Sequence, residues 1–152
     1  MSGARHDGKN EGGMSEELRS LQDLTQMILD AELTKLRQLS QETRRRQDEI
    51  ARLGAALAAR SAEVKRADPS NDLALRTGQD ARWQAWVART NSRLTREAAD
   101  VAARREAQRL TAQRAFGRVH ALGKIRERED EENRLRVSRQ VRVETGGPGK
   151  TG

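Results

Sequence analysis

Few residues of this 152-residue chain have types and spacings that could perform chemistry. The nearest approach to a catalytic pattern is Gly149-Lys150-Thr151, which resembles the end of a phosphate-binding loop. That loop also needs a glycine five residues earlier, where this sequence has Glu144, and a helix after the threonine, where the sequence stops. We therefore expect no nucleotide binding and interpret residues 144–152 as a flexible tail.

Metal-binding and acid–base patterns are also missing from the sequence. His6 and His120 are far apart and have no HExxH or cysteine–histidine spacing around them. The chain contains no cysteine, so thiolate ligands, a cysteine nucleophile and disulfides are excluded. The acidic run 129–132 lacks the alternating ligands and the glycine of a calcium loop, and a solvated helix face explains it better. We expect no catalytic residue, no metal, no cofactor and no enzymatic activity.

Arginine is the residue whose spacing indicates binding. Arg82, Arg89 and Arg96 recur every seven residues, and residues 82–126 carry eleven basic and three acidic side chains. The local charge of +8 exceeds the +7 of the whole chain. Such a face suits an acidic protein surface, and it also suits phosphates along a duplex. Arginine-rich codon usage on solvated faces is the alternative explanation. The predicted partner-binding residues are Arg82, Arg89, Arg93, Arg96, Arg105 and Arg109.

These arginines must be positioned by helices, because large apolar residues recur every seven positions. These apolar residues form two stripes, or seams, one on each side of a break in the pattern. The first seam consists of Leu29, Leu36, Ile50, Leu57 and Val64, and the second of Val87, Leu94, Val101, Ala115 and Leu122. Thr43 interrupts the first seam, and Gln108 interrupts the second. Arg46 and Arg104 are further polar insertions that would set the register or leave the pairing soft. We interpret Trp83 and Trp86 as residues that fill the packing near the turn, in preference to binding anchors.

The pattern predicts an all-α fold, in which two long helices form an antiparallel coiled-coil hairpin with disordered N- and C-terminal tails. The expected parts are a disordered lead over 1–14, a first helix over 15–66, a turn over 67–72 and a second helix over 73–143. Ser15 can cap the first helix, and Met14 is an alternative start of the protein. Asp68-Pro69-Ser70-Asn71-Asp72 forms the break, and either Asn71 or Asp72 can cap the second helix.

The register of the hairpin can be estimated from the two seams. If paired residue numbers sum to about 138, Ile50 lies near Val87 and Leu36 lies near Val101. The same relation places Ser15 opposite Gly123. The charged remainder of the second helix would then be an unpaired overhang, frayed or disordered until a partner binds it.

The composition of the chain limits its expected location in the cell. The chain has 35% charged and 2% aromatic residues, and its longest apolar runs are far too short to cross a bilayer. Residues 1–13 have no signal-peptide core. We expect a cytoplasmic protein, with peripheral association at the inner membrane left open.

In architecture and composition, residues 15–143, including REAQRLTAQRAFGRVHALGKIRER, resemble the FliJ family of bacterial flagellar export proteins and its type III secretion counterparts. The resemblance implies a hairpin that inserts into a hexameric export ATPase and contacts the export gate and substrate chaperones. It carries no functional residue onto this chain.

Three functions therefore stand as hypotheses. The first is a monomeric adaptor or stalk of a protein export apparatus. The second is a nucleoid-associated coiled coil that binds nucleic acid of any sequence. The third is a structural homodimer that pairs the two seams between chains, and we favour the monomeric hairpin over it.

Overall fold

The structure, a computed structural model, describes residues 7–68 and 70–146, with side chains from Ser15 onward. These residues form three helices and no strand. The helices are α1 (Asp7–Arg66), α2 (Leu73–Arg76) and α3 (Gln79–Thr145). The two long helices, α1 and α3, pack together. The predicted all-α class is confirmed.

The first helix ends at Arg66, where the sequence predicts its end, but it begins at Asp7 instead of residue 15. The helix thus starts within the predicted lead, residues 1–6 lie outside the described part of the chain, and the disorder of the lead stays a prediction. Extending an existing helix requires no new nucleus, so polar residues next to a paired segment can join it despite their glycines.

The turn is held by side chains that the sequence marks as turn formers. The Asn71 N–H donates to the Asp68 carbonyl oxygen at 2.9 Å, and the Ser70 N–H donates to an Asp68 carboxylate oxygen at 3.1 Å. Asp72 is the N-cap of α2 and accepts hydrogen bonds from the N–H groups of Ala74 and Leu75. Pro69 lies outside the described residues. Asp72, not Asn71, is therefore the cap.

The expected second helix is interrupted soon after it starts. The four-residue helix α2 ends at Arg76, and Gly78 takes a φ of +73°, a conformation that side chains with a Cβ atom rarely adopt. The helix then resumes as α3 and continues to Thr145, two residues past the expected end at 143. Residues 144 and 145 of the expected flexible tail are thus helical, and residues 147–152 lie outside the description.

The chain divides into two units, and each has its own buried row. The turn unit is Leu33–Thr111, and the terminal unit joins the residues before Leu33 to those after Thr111. The turn unit buries Thr43, Asp80, Val87, Leu94 and Val101. The terminal unit buries Thr25, Leu29, Ala112 and Ala115. Most seam residues are buried or half-buried as predicted, whereas Leu57 is 40% exposed.

Within each unit, the segments of α1 and α3 run in opposite directions. In the turn unit, Arg60 contacts Asp80 and Arg46 contacts Glu97, so the paired residue numbers sum to 140 and 143. In the terminal unit, Arg126 donates to Gln22, and that sum is 148.

The expected sum of about 138 therefore places the partners in the terminal unit too early along α3. Ser15 shares a groove with Glu132 and Asn133, not with Gly123. The overhang consequently begins later than residue 123. The exposed end of α3 comprises residues 131–145.

No helix of the described residues is long and apolar enough to span a lipid bilayer.

Candidate protein-binding surface

All six predicted arginines lie on α3 within the turn unit, and all are exposed. Arg82, Arg89 and Arg96 are separated by seven residues each, which corresponds to about 10.5 Å along the axis and two turns of helix. Within the described residues, none of these three side chains forms an ion pair. Their guanidinium groups therefore keep all their donors for a partner.

Arg93 and Arg109 are engaged by neighbouring carboxylates. Arg93 donates to Glu97 at 3.2 Å, and Glu97 also accepts from Arg46 of α1 at 2.9 Å. Arg109 donates three hydrogen bonds to the carboxylate of Glu106, the shortest at 2.8 Å. The Arg109 hydrogen bonds lower the pKa of Glu106, and the same contact raises the pKa of Arg109. Arg109 is therefore partly neutralised within its own helix.

The six arginines do not form one surface. At 100° per residue, Arg82, Arg89, Arg93 and Arg96 fall within a sector of roughly 60° around α3. Arg105 and Arg109 lie roughly 140° and 180° away from Arg82 on the same measure. The structure thus separates the predicted set into a basic row, which we define as Arg82, Arg89, Arg93 and Arg96, and a pair that faces elsewhere.

Trp86 lies on the same face of α3 as the basic row, contrary to its interpretation as a packing residue. Its side chain is 50% exposed, and it lies one turn after Arg82 and almost one turn before Arg89. Trp83, three residues earlier, is half-buried and does contribute to the packing near the turn. Trp86 was missed because it lies one position from the seam. A count of the helical angle would have placed it among the arginines.

An arginine of α1 fixes the start of α3 and so positions the basic row. The Arg60 Nε donates to Asp80 at 2.6 Å, and its Nη2 donates to Asp72 at 2.9 Å. The Asp80 side chain is only 6% exposed and the Asp72 side chain 10%. The hydrogen bond to Asp80 is the main cause that raises the pKa of Arg60 further above its usual value, so this charge is permanent. We call these three residues the Arg60 cluster.

The polar insertions in the seams have distinct roles. Thr43 is buried, and its hydroxyl donates to the Leu39 carbonyl oxygen at 2.8 Å, which satisfies it within α1. Arg46 reaches across to Glu97 and ties the two helices at one register. Gln108 is half-buried, whereas Arg104 is exposed and does not enter the seam.

The remaining chemical candidates of the sequence are not brought together. His120 is exposed and stacks on Phe116 with ring centroids 6.3 Å apart. Across the part of the chain that the structure describes, no group of three or more His, Asp or Glu residues could hold a metal ion. His6 and Gly149-Lys150-Thr151 lie outside that part.

Near the turn, a surface cavity of about 490 Å³ is lined by Ala56, Arg60, Glu63, Asp80 and Trp83, among others. Its two carboxylates, those of Glu63 and Asp80, both form ion pairs with Arg60. The cavity is part of the contact that closes the turn.

Comparison with known proteins gave no match: no family model, no curated protein and no solved structure is significantly similar to this chain.

Proposed function

We propose that this chain is a non-enzymatic adaptor, an antiparallel coiled-coil hairpin that docks onto an acidic protein surface through the basic row. The observation that carries the proposal is the state of Arg82, Arg89 and Arg96, which are exposed and free of ion pairs within the described residues. Arginines that only solubilise a helix commonly pair with acidic residues three or four positions away, as Arg109 does with Glu106. In the basic row, Arg82 and Arg89 have no acidic residue three or four positions away, and Arg96 forms no described ion pair with Asp100, four residues later.

Trp86 favours a protein partner over nucleic acid. Tryptophan and arginine are the residues most enriched at the energetic centre of protein interfaces, where an apolar ring fills a pocket and charged groups surround it. Trp86 has this arrangement, because Arg82 and Arg89 flank it on the same face. Duplex binding would use the arginines and leave the ring unexplained, since phosphate contacts need no exposed indole.

The resemblance to the FliJ family makes an export ATPase of a flagellar or type III secretion apparatus the first partner to test. In that role the hairpin is a cytoplasmic stalk or adaptor, and the export gate and substrate chaperones are further candidate partners. The complementary surface would present carboxylates about 10 Å apart, to match the spacing of the row.

The test measures binding of the purified chain to the export ATPase of the same genome, at low and physiological salt. We expect the triple variant Arg82→Glu, Arg89→Glu, Arg96→Glu to lose binding. The matched control reverses three exposed arginines of α1 in the same unit: Arg44→Glu, Arg45→Glu and Arg52→Glu. It changes the net charge equally and should bind normally.

The Trp86→Ala variant distinguishes binding to a protein partner from binding to nucleic acid. For a protein partner, it should weaken binding without changing the salt dependence, because it removes buried apolar contact and no charge. Tight binding to duplex DNA of any sequence at physiological salt, unaffected by Trp86→Ala and without affinity for the ATPase, would instead establish the nucleic-acid function.

A further inference from the structure

The terminal unit exposes a narrow apolar stripe on α1. Leu21 is 45% exposed, Leu24 52% and Ile28 38%, and Ala31 is exposed as well. These four residues follow one another at separations of three, four and three positions, which is the spacing of a coiled-coil seam. We call them the outer stripe. A stripe with this spacing is shaped to receive one further helix, because apolar residues at these positions stay in line along a partner helix.

The outer stripe is distinct from the stripe that holds the terminal unit together. The residues of α1 that are buried in this unit are Thr25 and Leu29. At 100° per residue, they lie roughly 100° around the helix from the middle of the outer stripe. In the terminal unit, α1 therefore has one apolar stripe in use and a second one exposed to water.

The end of α3 does not cover the outer stripe within one chain. On the α1 side, the groove that contains Arg136 of α3 is lined by Ser15, Leu18 and Arg19. These residues lie roughly 120–180° around α1 from Leu24. The end of α3 thus lies against the opposite side of the first helix.

Three carboxylates border the outer stripe, and we call them the carboxylate border. Glu16 and Asp23 lie along one flank, seven residues apart, and Glu17 continues the line of the stripe toward the start of α1. All three are exposed, and none forms an ion pair with another described residue. Arg19 is within four residues of two of them but lines the groove toward α3 and pairs with neither. Three carboxylates against this one guanidinium leave a net charge of −2.

The carboxylates and the apolar side chains meet in one surface groove of about 530 Å³. The groove is lined by Glu16, Glu17, Ser20, Leu21 and Leu24. The leucines supply its apolar surface, and the glutamates supply negative charge within about two turns of the same helix. A ligand of this groove must therefore present apolar surface and positive charge side by side.

We propose that the outer stripe is the docking site for an amphipathic, basic helix of a partner protein. Leucine-like side chains of that helix would pack along the outer stripe, and its lysines or arginines would lie opposite the carboxylate border. Charge complementarity favours this occupant. A second copy of this chain fits less well, because pairing two outer stripes would add a second set of the same carboxylates to the interface.

The test measures the affinity of the full chain for two designed peptides by isothermal titration calorimetry. Both peptides have about 21 residues, or three heptads, with leucine at the same seam positions. The basic peptide carries lysine at the flanking positions, and the acidic peptide carries glutamate there. We expect the basic peptide to bind at least about tenfold more tightly, and raised salt to reduce the difference.

Two variants separate the apolar and the charged parts of the site. Leu24→Ser with Ile28→Ser should weaken binding of the basic peptide by about tenfold or more, because it removes apolar contact. The border variant Glu16→Lys, Glu17→Lys, Asp23→Lys should instead prefer the acidic peptide. Its matched control reverses three exposed carboxylates elsewhere and should keep the preference of the wild type: Asp48→Lys, Glu127→Lys, Glu131→Lys. Circular dichroism checks that every variant remains helical.

Three results would overturn the proposal. Equal affinity of the wild type for the two peptides would contradict the chemistry of the partner. Binding of the basic peptide that Leu24→Ser with Ile28→Ser leaves unchanged would contradict the site. Sedimentation equilibrium of the chain alone gives the third: dimers that the same double variant abolishes would identify a second copy as the occupant.

This inference is independent of the proposed adaptor function. The triple variant of the basic row, Arg82→Glu, Arg89→Glu, Arg96→Glu, changes only the turn unit and should bind the basic peptide like the wild type at physiological salt. Loss of binding to the export ATPase with intact peptide binding therefore bears on the adaptor, and the converse bears on the outer stripe.

Discussion

The turn unit and the terminal unit are both built from segments of α1 and α3, but they bury different kinds of side chains. The turn unit buries Val87, Leu94 and Val101 and joins its helices by ion pairs of Arg60 and Arg46. The terminal unit buries small or polar side chains alongside Leu29 and leaves larger apolar ones outside. A hydrogen bond from Arg126 to Gln22 joins the two helices of this unit.

The difference indicates that the turn unit contributes more to the stability of the fold, whereas the terminal unit exposes more apolar surface. In the turn unit, the larger seam residues of α3 are buried, and the exposed large apolar side chains are Leu57, Leu73, Trp86 and Leu110. In the terminal unit, more of the large apolar side chains are exposed to water, among them Leu24, Met27 and Phe116. Substitutions that are equivalent in chemistry should therefore have unequal effects in the two units.

The largest expected effect comes from matched leucine truncations. Leu94→Ala removes a side chain that is 6% exposed and should lower the free energy of unfolding by about 2–4 kcal/mol. Leu24→Ala, at 52% exposure in the terminal unit, should cost less than about 1 kcal/mol in the monomer. Urea unfolding followed by circular dichroism measures both. Equal losses would contradict the contrast between the units.

The next effect concerns the Arg60 cluster. Arg60→Met keeps the length of the side chain but leaves Asp80 and Asp72 without their partner near the turn, which should lower the unfolding midpoint clearly. Hydrogen exchange of the α2 amides should also become faster, because the cap of α2 loses its support. Arg109→Met, which breaks only an exposed pair within α3, is the control and should leave the midpoint nearly unchanged.

Acid should weaken the turn unit through Asp72. Burial alone would raise the pKa of Asp72, but hydrogen bonds from Leu75 and Arg60, with the nearby guanidinium charge, lower it below the usual 3.8. A lowered folded pKa contributes stability that is complete above the unfolded value and disappears as the pH falls through the folded one. Unfolding midpoints from about pH 6 to about pH 2 measure this loss.

Asp72→Asn is the matched variant for the acid experiment. Asparagine caps helices about as well as aspartate, so the geometry of α2 is preserved while the charge is removed. The variant should be less stable at neutral pH and should lose less stability on acidification. Asp68 and Glu106 also have lowered pKa values, so some acid sensitivity should remain. An unchanged acid profile would exclude Asp72 as a source.

The smallest effect distinguishes helical glycines from the one that interrupts the helix. A Cβ atom at Gly54 in the turn unit or Gly117 in the terminal unit would meet no atom within 4 Å. Each substitution to alanine should stabilise by about 0.5–1 kcal/mol. Gly78→Ala should destabilise instead, since its φ of +73° disfavours a side chain. Thermal unfolding of the three variants shows whether each substitution raises or lowers the stability.

Periodicity was sufficient to predict the helices and most of their buried residues. Val87, Leu94 and Val101 follow a strict heptad, and burial follows that heptad because a paired helix covers one stripe. The pattern fails near Ala112, which is buried although it is outside the predicted seam. Alanine is small and common on exposed faces, so its position does not reveal from sequence that the buried stripe of α3 moves to include Ala112 in the terminal unit.

The candidate surface was predicted only in part. A seven-residue recurrence marks Arg82, Arg89 and Arg96 directly, whereas Arg105 and Arg109 only continue the series of arginines along the helix and lie on another side of it. The Arg60 cluster was not predicted, because its partners are twelve and twenty residues away and no local pattern links them. Trp86 was assigned by its nearness to the seam, and its exposure reverses that interpretation.

The Arg60 cluster also bears on how quickly the chain folds. Its contact with Asp80 joins residues twenty positions apart, compared with 51 for Arg46–Glu97 and 104 for Gln22–Arg126. Closing the shortest of these loops costs about 1.5 kcal/mol less chain entropy than closing the longest. We expect the transition state to contain the turn already formed, with the helices then pairing outward from it. Substitutions at Arg60 should therefore slow folding, whereas those in the terminal unit should mainly speed unfolding.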